Sequence, residues 1–292
     1  MQDLGRTGFR SYGVNPGGAM DRTAVRLINI LLGNDQSAAA LEMHFPAADI
    51  VFESDAAFAL GGADFGAELN GIPISNWRRH NAQGGDRLRF KGVVNGMRAY
   101  LASSGGFEYE QTLGEATKRL QANTRLSINA TDINRPHIKA EVASSMIPHY
   151  SRFPTVRVIA GPEFESLTAI SETALFREQF AVTKDSNRMG FRLEGVPLYR
   201  IDEGEMVSAG VTFGTIQLLP SGQMIVLMAD HQTSGGYPRI AQVIGHDLPL
   251  IAQLGPGDKA AFHRIEIAEA ERIAIQFERD LALMRAAVSL RS

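Results

Sequence analysis

The run Met224-Ile225-Val226-Leu227-Met228 leads directly into Ala229-Asp230-His231-Gln232-Thr233-Ser234-Gly235-Gly236-Tyr237-Pro238. The apolar run is short, carries a β-branched pair and follows the turn residues Pro220-Ser221-Gly222, so it reads as a buried strand. Five polar side chains arrive together where that strand ends, and two glycines follow. Glycine lets a backbone bend sharply or approach a ligand closely, and Pro238 pushes Tyr237 out of the helical region. A polar strand end with a tight turn accounts for the composition. The functional alternative is a rigid strand delivering polar groups into a ligand-facing loop.

Outward from this stretch, both halves of the chain read as short strands between turns. In the first half these are Ile50-Val51-Phe52, Ala57-Phe58-Ala59-Leu60, Leu88-Arg89-Phe90 and Met97-Arg98-Ala99-Tyr100-Leu101. Asn70-Gly71 before Ile72-Pro73-Ile74 is a hairpin signal. In the second half, Val156–Ala160, Phe180–Val182 and Arg188–Gly195 take the same form. Regularly spaced short strands point to a barrel or sandwich. Helices are few. One is expected from Asp21 to about residue 32, with Val25, Ile28 and Leu32 at three-and-four spacing, Asp21 at the N-cap and Gly33 as the stop. A second is expected near 163–178, and a short one between Asp247 and Leu254. A last, over 266–288, carries Ile273, Phe277, Leu281, Met284 and Val288 on one stripe. Trp77 reads as a packed surface anchor. The expected fold is mainly β, with halves spanning 1–140 and 150–292 joined by the proline-marked stretch 136–154.

The bulk composition excludes several functions. With 44% hydrophobic and 21% charged residues, the 292-residue chain is ordinary globular material. A formal net charge of -3 gives no electrostatic reason to bind nucleic acid or an anionic membrane. With no cysteine, disulfides, thiolate catalysis and zinc–thiolate sites are excluded. No phosphate loop, dinucleotide fingerprint, zinc-protease helix or nucleophile elbow occurs. The seven histidines are scattered; Asp230-His231 and His246-Asp247 place neighbours on opposite faces of a strand, so no metal site is expected. No apolar run approaches membrane-spanning length, and Met1-Gln2-Asp3 lacks the pattern of a secretory leader, so the expected location is the cytoplasm.

An ordered set of motifs carries a family resemblance. It includes Gln2-Asp3-Leu4-Gly5-Arg6, Gly18-Ala19-Met20-Asp21, Asn29-Ile30-Leu31-Leu32-Gly33-Asn34, Leu41-Glu42, Gly96–Ala102 and Asn187–Leu193. It continues through Gly210-Val211-Thr212-Phe213-Gly214-Thr215-Ile216-Gln217 and Asp230–Pro238. The sequence resembles the family variously known as allophanate hydrolase subunit 2, the carboxyltransferase-type domain of urea carboxylase, the KipA antagonist and the C subunit of 5-oxoprolinase. The match runs from residue 2 to about residue 262. It implies two β-barrel-like halves of cyclophilin-like type. Relatives of this kind usually carry a serine-arginine-serine-threonine stretch and a glycine-rich loop after Leu113-Gly114. Here Lys118-Arg119-Leu120-Gln121 follows, and no glycine appears until Gly161.

The resemblance implies a site built from Asp21, Arg188 and Asp230 as catalytic residues. Asp3, Arg6, Asn15, Gln217, Gln232, Thr233, Gly236 and Tyr237 would bind substrate. Arginine can grip a carboxylate with two parallel hydrogen bonds, and carboxamides match an amide edge. Asp21 or Asp230 could act as a general base; each is equally explained as a cap or salt-bridge partner. His231 reads as a packed histidine. The implied function is that of the C subunit of an ATP-dependent 5-oxoprolinase. It would act with KipI-like and LamB/YcsF-like subunits to open 5-oxoproline to glutamate, with ATP used by the complex rather than bound by this chain alone. The alternatives are a carboxyltransferase-type protein acting on urea or another amide, and a regulator binding a KipI-like kinase inhibitor. Arg188 and Asp230 are expected to pair across 42 positions, because a carboxylate at the end of a buried strand needs a partner.

Overall fold

A computed structural model describes residues 1–109, 113, 119–129, 140–202, 204 and 206–290. Residues 114–118 and 130–135 of the stretch that departs from the family after Leu113, and the start of the expected connection at 136, lie outside the described residues. The chain divides into two compact units, each assembled from more than one stretch of chain. Unit one is Met1–Gly5, Asp21–Tyr150 and Gln276–Ser292; unit two is Arg6–Met20 and Ser151–Ile275.

Unit one begins with helix α1 (Arg22–Leu31), followed by strands β1 (Leu41–Met43), β2 (Ile50–Val51), β3 (Ala56–Asp64) and β4 (Ala67–Leu69). Strands β5 (Ile72–Pro73), β6 (Arg79–Ala82), β7 (Arg87–Phe90) and β8 (Asn95–Ser103) complete it. The strands form two four-stranded sheets, ordered β1-β8-β3-β6 and β2-β7-β4-β5. The Asn70-Gly71 turn closes the expected hairpin, pairing Leu69 with Ile72, with φ of 52° and 82° at its two residues. Phe58, Leu60, Phe65, Leu88 and Leu101 fill the core. Helix α1 comes so close to β3 that a Cβ at Gly61 would stand 2.6 Å from the Ile28 side chain and 2.9 Å from the Trp77 ring. Glycine is required there for that approach, and half-buried Trp77 packs over the same point.

Unit two holds β9 (Thr155–Ala160), α2 (Ala169–Arg177), β10 (Phe180–Val182), β11 (Gly190–Glu194), β12 (Ala209–Gly210) and β13 (Thr215–Leu218). It continues with β14 (Met224–Leu227), β15 (Ser234–Gly235), β16 (Arg239–Val243), α3 (Leu248–Ala252) and β17 (Lys259–Arg264). Seven strands close a barrel in the order β10-β11-β14-β13-β16-β9-β17, which leaves no free sheet edge among them. Alternation sets the inside: Val156 and Val158 on β9, Phe191 and Leu193 on β11, and Ile216 and Leu218 on β13 face the core. All neighbouring pairs are antiparallel except β17 with β9. The expected helix near 163–178 starts later, as a 3-10 turn at Phe164–Ser166 and then α2, because Thr168 is the cap, accepting a hydrogen bond from the Ser171 amide at 3.2 Å.

The final helix, α4 (Ile267–Ser289), presents the anticipated stripe: Leu281 is buried and Ile273, Phe277, Met284 and Val288 are half-buried. From Gln276 onward it belongs to unit one. There Arg26 of α1 makes two 2.6 Å hydrogen bonds to the Glu278 carboxylate and lies 5.8 Å from the Phe277 ring centre. The Arg26 guanidinium holds the Glu278 carboxyl below its ordinary range.

Candidate functional site

The strand β14 delivers the loop 228–238 as its sequence suggests. Gly190 on β11 pairs with Leu227, so Arg188, just before β11, sits beside Asp230, just after β14. The backbone repeats the relation, since the Asp230 amide donates to the Arg188 carbonyl at 2.9 Å. The Arg188 guanidinium then grips the Asp230 carboxylate, Nε to Oδ2 at 2.8 Å and Nη2 to Oδ1 at 3.0 Å. Nη2 also donates to the Gly18 carbonyl at 2.6 Å. The Asn15 carboxamide donates to the Asp230 carbonyl at 3.4 Å. The extended loop 6–20 is therefore stitched to this point within unit two. Arg6 contributes a backbone bond, its amide donating to the Pro16 carbonyl at 2.8 Å, and the Arg10 guanidinium donates to the Val211 carbonyl. The Arg188 and Asp230 side chains keep 24% and 32% of their exposure. The pair is thus reachable by a ligand, not sealed in the core.

The second part of the loop converges on Gln217. This residue lies on barrel strand β13 with 1% exposure, and its Nε2 donates to the Tyr237 carbonyl at 3.2 Å. The short ladder β12–β15 pairs Ala209 with Gly235 and Gly210 with Ser234. The Val211 amide donates to the Thr233 carbonyl at 3.2 Å. Gln232 and Gly236 are exposed, and Tyr237 keeps 43% of its exposure. His231 is buried, with Nδ1 2.6 Å from the Gln232 carbonyl, so it fixes the loop from within. Thr212, Thr215 and Gln242 brace the preceding turn. Both hydroxyls donate to Gln242 Oε1, at 3.0 and 2.8 Å, while Gln242 Nε2 donates to the Phe213 carbonyl at 2.8 Å. Much of the Gly210–Gln217 motif is thus scaffold for the one carboxamide at its end.

Asp3 and Asp21 belong to unit one. Asp3 is buried, its Oδ1 accepting from the Gly5 amide at 2.7 Å. Asp21 is fully buried and caps α1, with Oδ1 accepting from the Ala24 amide at 2.9 Å. Its Oδ2 accepts from the Tyr150 hydroxyl at 2.6 Å. The Asp21 amide donates to the Tyr100 hydroxyl at 2.9 Å, and that hydroxyl donates to Glu42 Oε2 at 2.8 Å. Burial, and then the charges of Glu42 and Asp21, push the Tyr100 phenol well above its ordinary pKa, so it stays protonated and donating. Sequence alone assigns no role to Glu42, Tyr100 or Tyr150. The one available signal is that Leu41-Glu42 and Gly96–Ala102 are both motif segments. Among the described residues no cluster of three or more metal-ligating side chains occurs, and no helix is long and apolar enough to cross a membrane.

Residues 12–264 match the family described as carboxyltransferase domain, subdomain A and B. The chain belongs to that family. Within it, the chain is 35% identical over 282 residues to the C subunit of 5-oxoprolinase from Escherichia coli K12, covering 92% of this chain and 89% of that protein. It is 33% identical over 281 residues to the C subunit of 5-oxoprolinase from Haemophilus influenzae, covering 94% and 90%. The crystal structure of K. lactis urea amidolyase shares the fold, with a TM-score of 0.88 over 97% of this chain; the identity is 23% and the match spans 19% of that longer chain. The mainly β architecture expected for a carboxyltransferase-domain protein is the one observed, with a closed barrel in unit two and two open sheets in unit one.

Proposed function

We propose that this chain is the C subunit of an ATP-dependent 5-oxoprolinase, an enzyme component active only in complex. Its partners in this reading are KipI-like and LamB/YcsF-like subunits, and its setting is the cytoplasm. The observation that carries the reading is the 35% identity to the C subunit of a 5-oxoprolinase over nearly the whole of both chains. Ring opening adds water across the lactam C–N bond of 5-oxoproline to give glutamate, with ATP converted to ADP and phosphate. An amide of such low reactivity needs that coupling, and this chain carries no phosphate-cradling motif. Its own part is to hold substrate. The carboxamides of Gln217 and Gln232 suit the lactam, and the Arg188–Asp230 pair positions the loop that bears Gln232.

A second reading, a carboxyltransferase acting on urea, draws on the fold shared with urea amidolyase. At 23% identity that likeness concerns architecture, so the hydrolase reading stands first. The deciding experiment is co-expression with both partner subunits, followed by assay of ATP hydrolysis with and without 5-oxoproline. Stimulation by 5-oxoproline that requires all three chains is expected. Stimulation by urea instead, or full activity from the isolated chain, would contradict the reading.

A further inference from the structure

We propose that the exposed apolar side chains of Ile170, Tyr199 and Ile201 in unit two form the face on which a partner subunit docks, and that the partner meets it with apolar side chains set among lysines or arginines. The inference rests on the reading of this chain as one component of a complex, and adds the place and the chemistry of one contact.

Backbone bonds bring the three residues to one place. The Thr168 amide donates to the Tyr199 carbonyl at 3.0 Å and the Ile201 amide to the Ser166 carbonyl at 2.8 Å, around an isolated bridge between Leu167 and Arg200. The Tyr199 amide donates to Ser171 Oγ at 2.7 Å. Tyr199 and Ile201 therefore lie alongside the stretch 166–171 that holds Ile170. Side chains alternate along extended backbone: Leu198 is buried, whereas Tyr199 and Ile201 keep 58% and 74% of their exposure. On α2, Ser171 and Leu175 are the buried positions, and Ile170 is left outside with 82%.

Single exposed apolar residues are ordinary on a protein surface. Several in one place, rimmed by polar groups and with a tyrosine among them, have the composition of a contact patch. The backbone bonds that place Tyr199 and Ile201 do not use their side chains, and exposed side chains add little to the stability of the free chain. A second surface laid over the patch is what would make use of them.

The charge at the border states the partner's chemistry. Glu165 belongs to the 3-10 turn Phe164–Ser166, whose last residue accepts the Ile201 amide, and Asp202 follows Ile201 directly. Both are exposed, and neither has an ion-pair partner among the described residues, whereas Glu163 and Glu172 are matched by Arg239 and Arg264. Arg200 turns its guanidinium to the Gly204 carbonyl at 3.2 Å. In sequence, 199–205 sets Arg200 against Asp202, Glu203 and Glu205. An apolar centre with an acidic border favours a basic-bordered face and disfavours an acidic one. It disfavours the same patch of a second copy, since a two-fold contact sets acid against acid, and an anionic membrane for the same reason.

The test measures the affinity of the full chain for the KipI-like and the LamB/YcsF-like subunit, comparing wild type with the double variants Tyr199→Ser/Ile201→Ser and Glu165→Lys/Asp202→Asn. The first removes the apolar centre. The second removes the acidic border, while asparagine keeps the acceptor for the Gly204 amide. The serine variant should bind one of the two subunits roughly tenfold more weakly or worse, with an unchanged melting temperature, as expected for loss of an interface centre. The charge variant should bind that subunit severalfold more weakly at low salt and as wild type does at about 1 M salt. Wild-type affinity of both variants for every subunit that binds wild type would overturn the patch. So would self-association of the free chain that the serine variant abolishes, because the occupant would then be a second copy. A wild-type chain that binds neither subunit would count against the functional reading, and the patch is then tested without a subunit. A labelled peptide alternating leucine with lysine should bind wild type and not the serine variant, and its leucine–glutamate counterpart should bind neither. No binding of the lysine peptide to wild type, or equal binding to both proteins, would overturn the proposal.

Discussion

Asp21 and Asp230 stand in contrasting surroundings. Asp21 is sealed in unit one, where its carboxylate accepts hydrogen bonds from the Ala24 amide and the Tyr150 hydroxyl. Asp230, in unit two, is about one-third exposed and is held by a guanidinium fork. The first arrangement fits a group that fixes backbone, since its oxygens are committed to a helix start and a buried phenol. The second fits a group that fixes a loop beside solvent, where a ligand can arrive. Two aspartates in equally strong motifs thus carry different loads, and the difference lies in their burial.

The largest effect should come from removing the buried one. Asp21→Ala deletes the α1 cap and leaves the Tyr150 hydroxyl without this acceptor, a loss of about 2–4 kcal/mol from capping and desolvation together. Denaturant unfolding measures it. Unchanged stability with activity abolished would reverse the comparison and make Asp21 the reacting group. Tyr100→Phe should cost somewhat less, about 1–3 kcal/mol, because it removes the hydroxyl that joins the Asp21 amide to Glu42. A neutral result in the same unfolding assay would break the buried chain of hydrogen bonds at its middle.

A smaller effect is expected in unit two, where Arg239 grips Glu163 with Nη2 at 2.7 Å from Oε1 and Nε at 2.9 Å from Oε2. The side-chain hydrogen bonds from Arg239 lower the Glu163 pKa from its ordinary 4.5. A lowered folded pKa means that the pair's stabilisation is complete above the unfolded value and is lost as pH falls through the folded one. Unfolding followed from pH 6 downward should therefore show a loss, on the order of 1 kcal/mol, that Glu163→Gln flattens. An identical acid slope in the variant would show that the pair does not titrate with folding.

The elements were legible where local chemistry specifies them. The three-and-four spacing after Asp21 and its capping side chain announced α1, and the Asn-Gly turn announced the β4–β5 hairpin. The Arg188–Asp230 pair was legible for a physical reason, since a carboxylate ending a buried strand needs a partner. Asp230 lies just beyond the interior strand β14, and its side chain keeps 32% of its exposure. The Glu42–Tyr100–Asp21–Tyr150 chain spans separations of 58, 79 and 129 residues, and no local pattern announces contacts of that range. Nor does any periodicity place the loop 6–20 with the second unit, because its ties include isolated bonds to Arg188, Val211 and Asp230 and the burial of Met20 in the barrel core. Gly235 has no positive φ, and the Gln217 and Gln232 carboxamides pack where its side chain would be.

The most direct test of this division of labour is to measure stability and 5-oxoproline-dependent ATP hydrolysis side by side for Arg188→Lys and Asp230→Asn in the three-chain complex. Lysine keeps the charge and loses the fork, and asparagine keeps the shape and loses the charge. For a partly exposed pair the stability loss should be about 1 kcal/mol, while activity falls by roughly tenfold or more as the 230–238 loop loses its placement. A large drop in melting temperature, with activity falling only in proportion to the folded fraction, would make the pair structural and contradict the account.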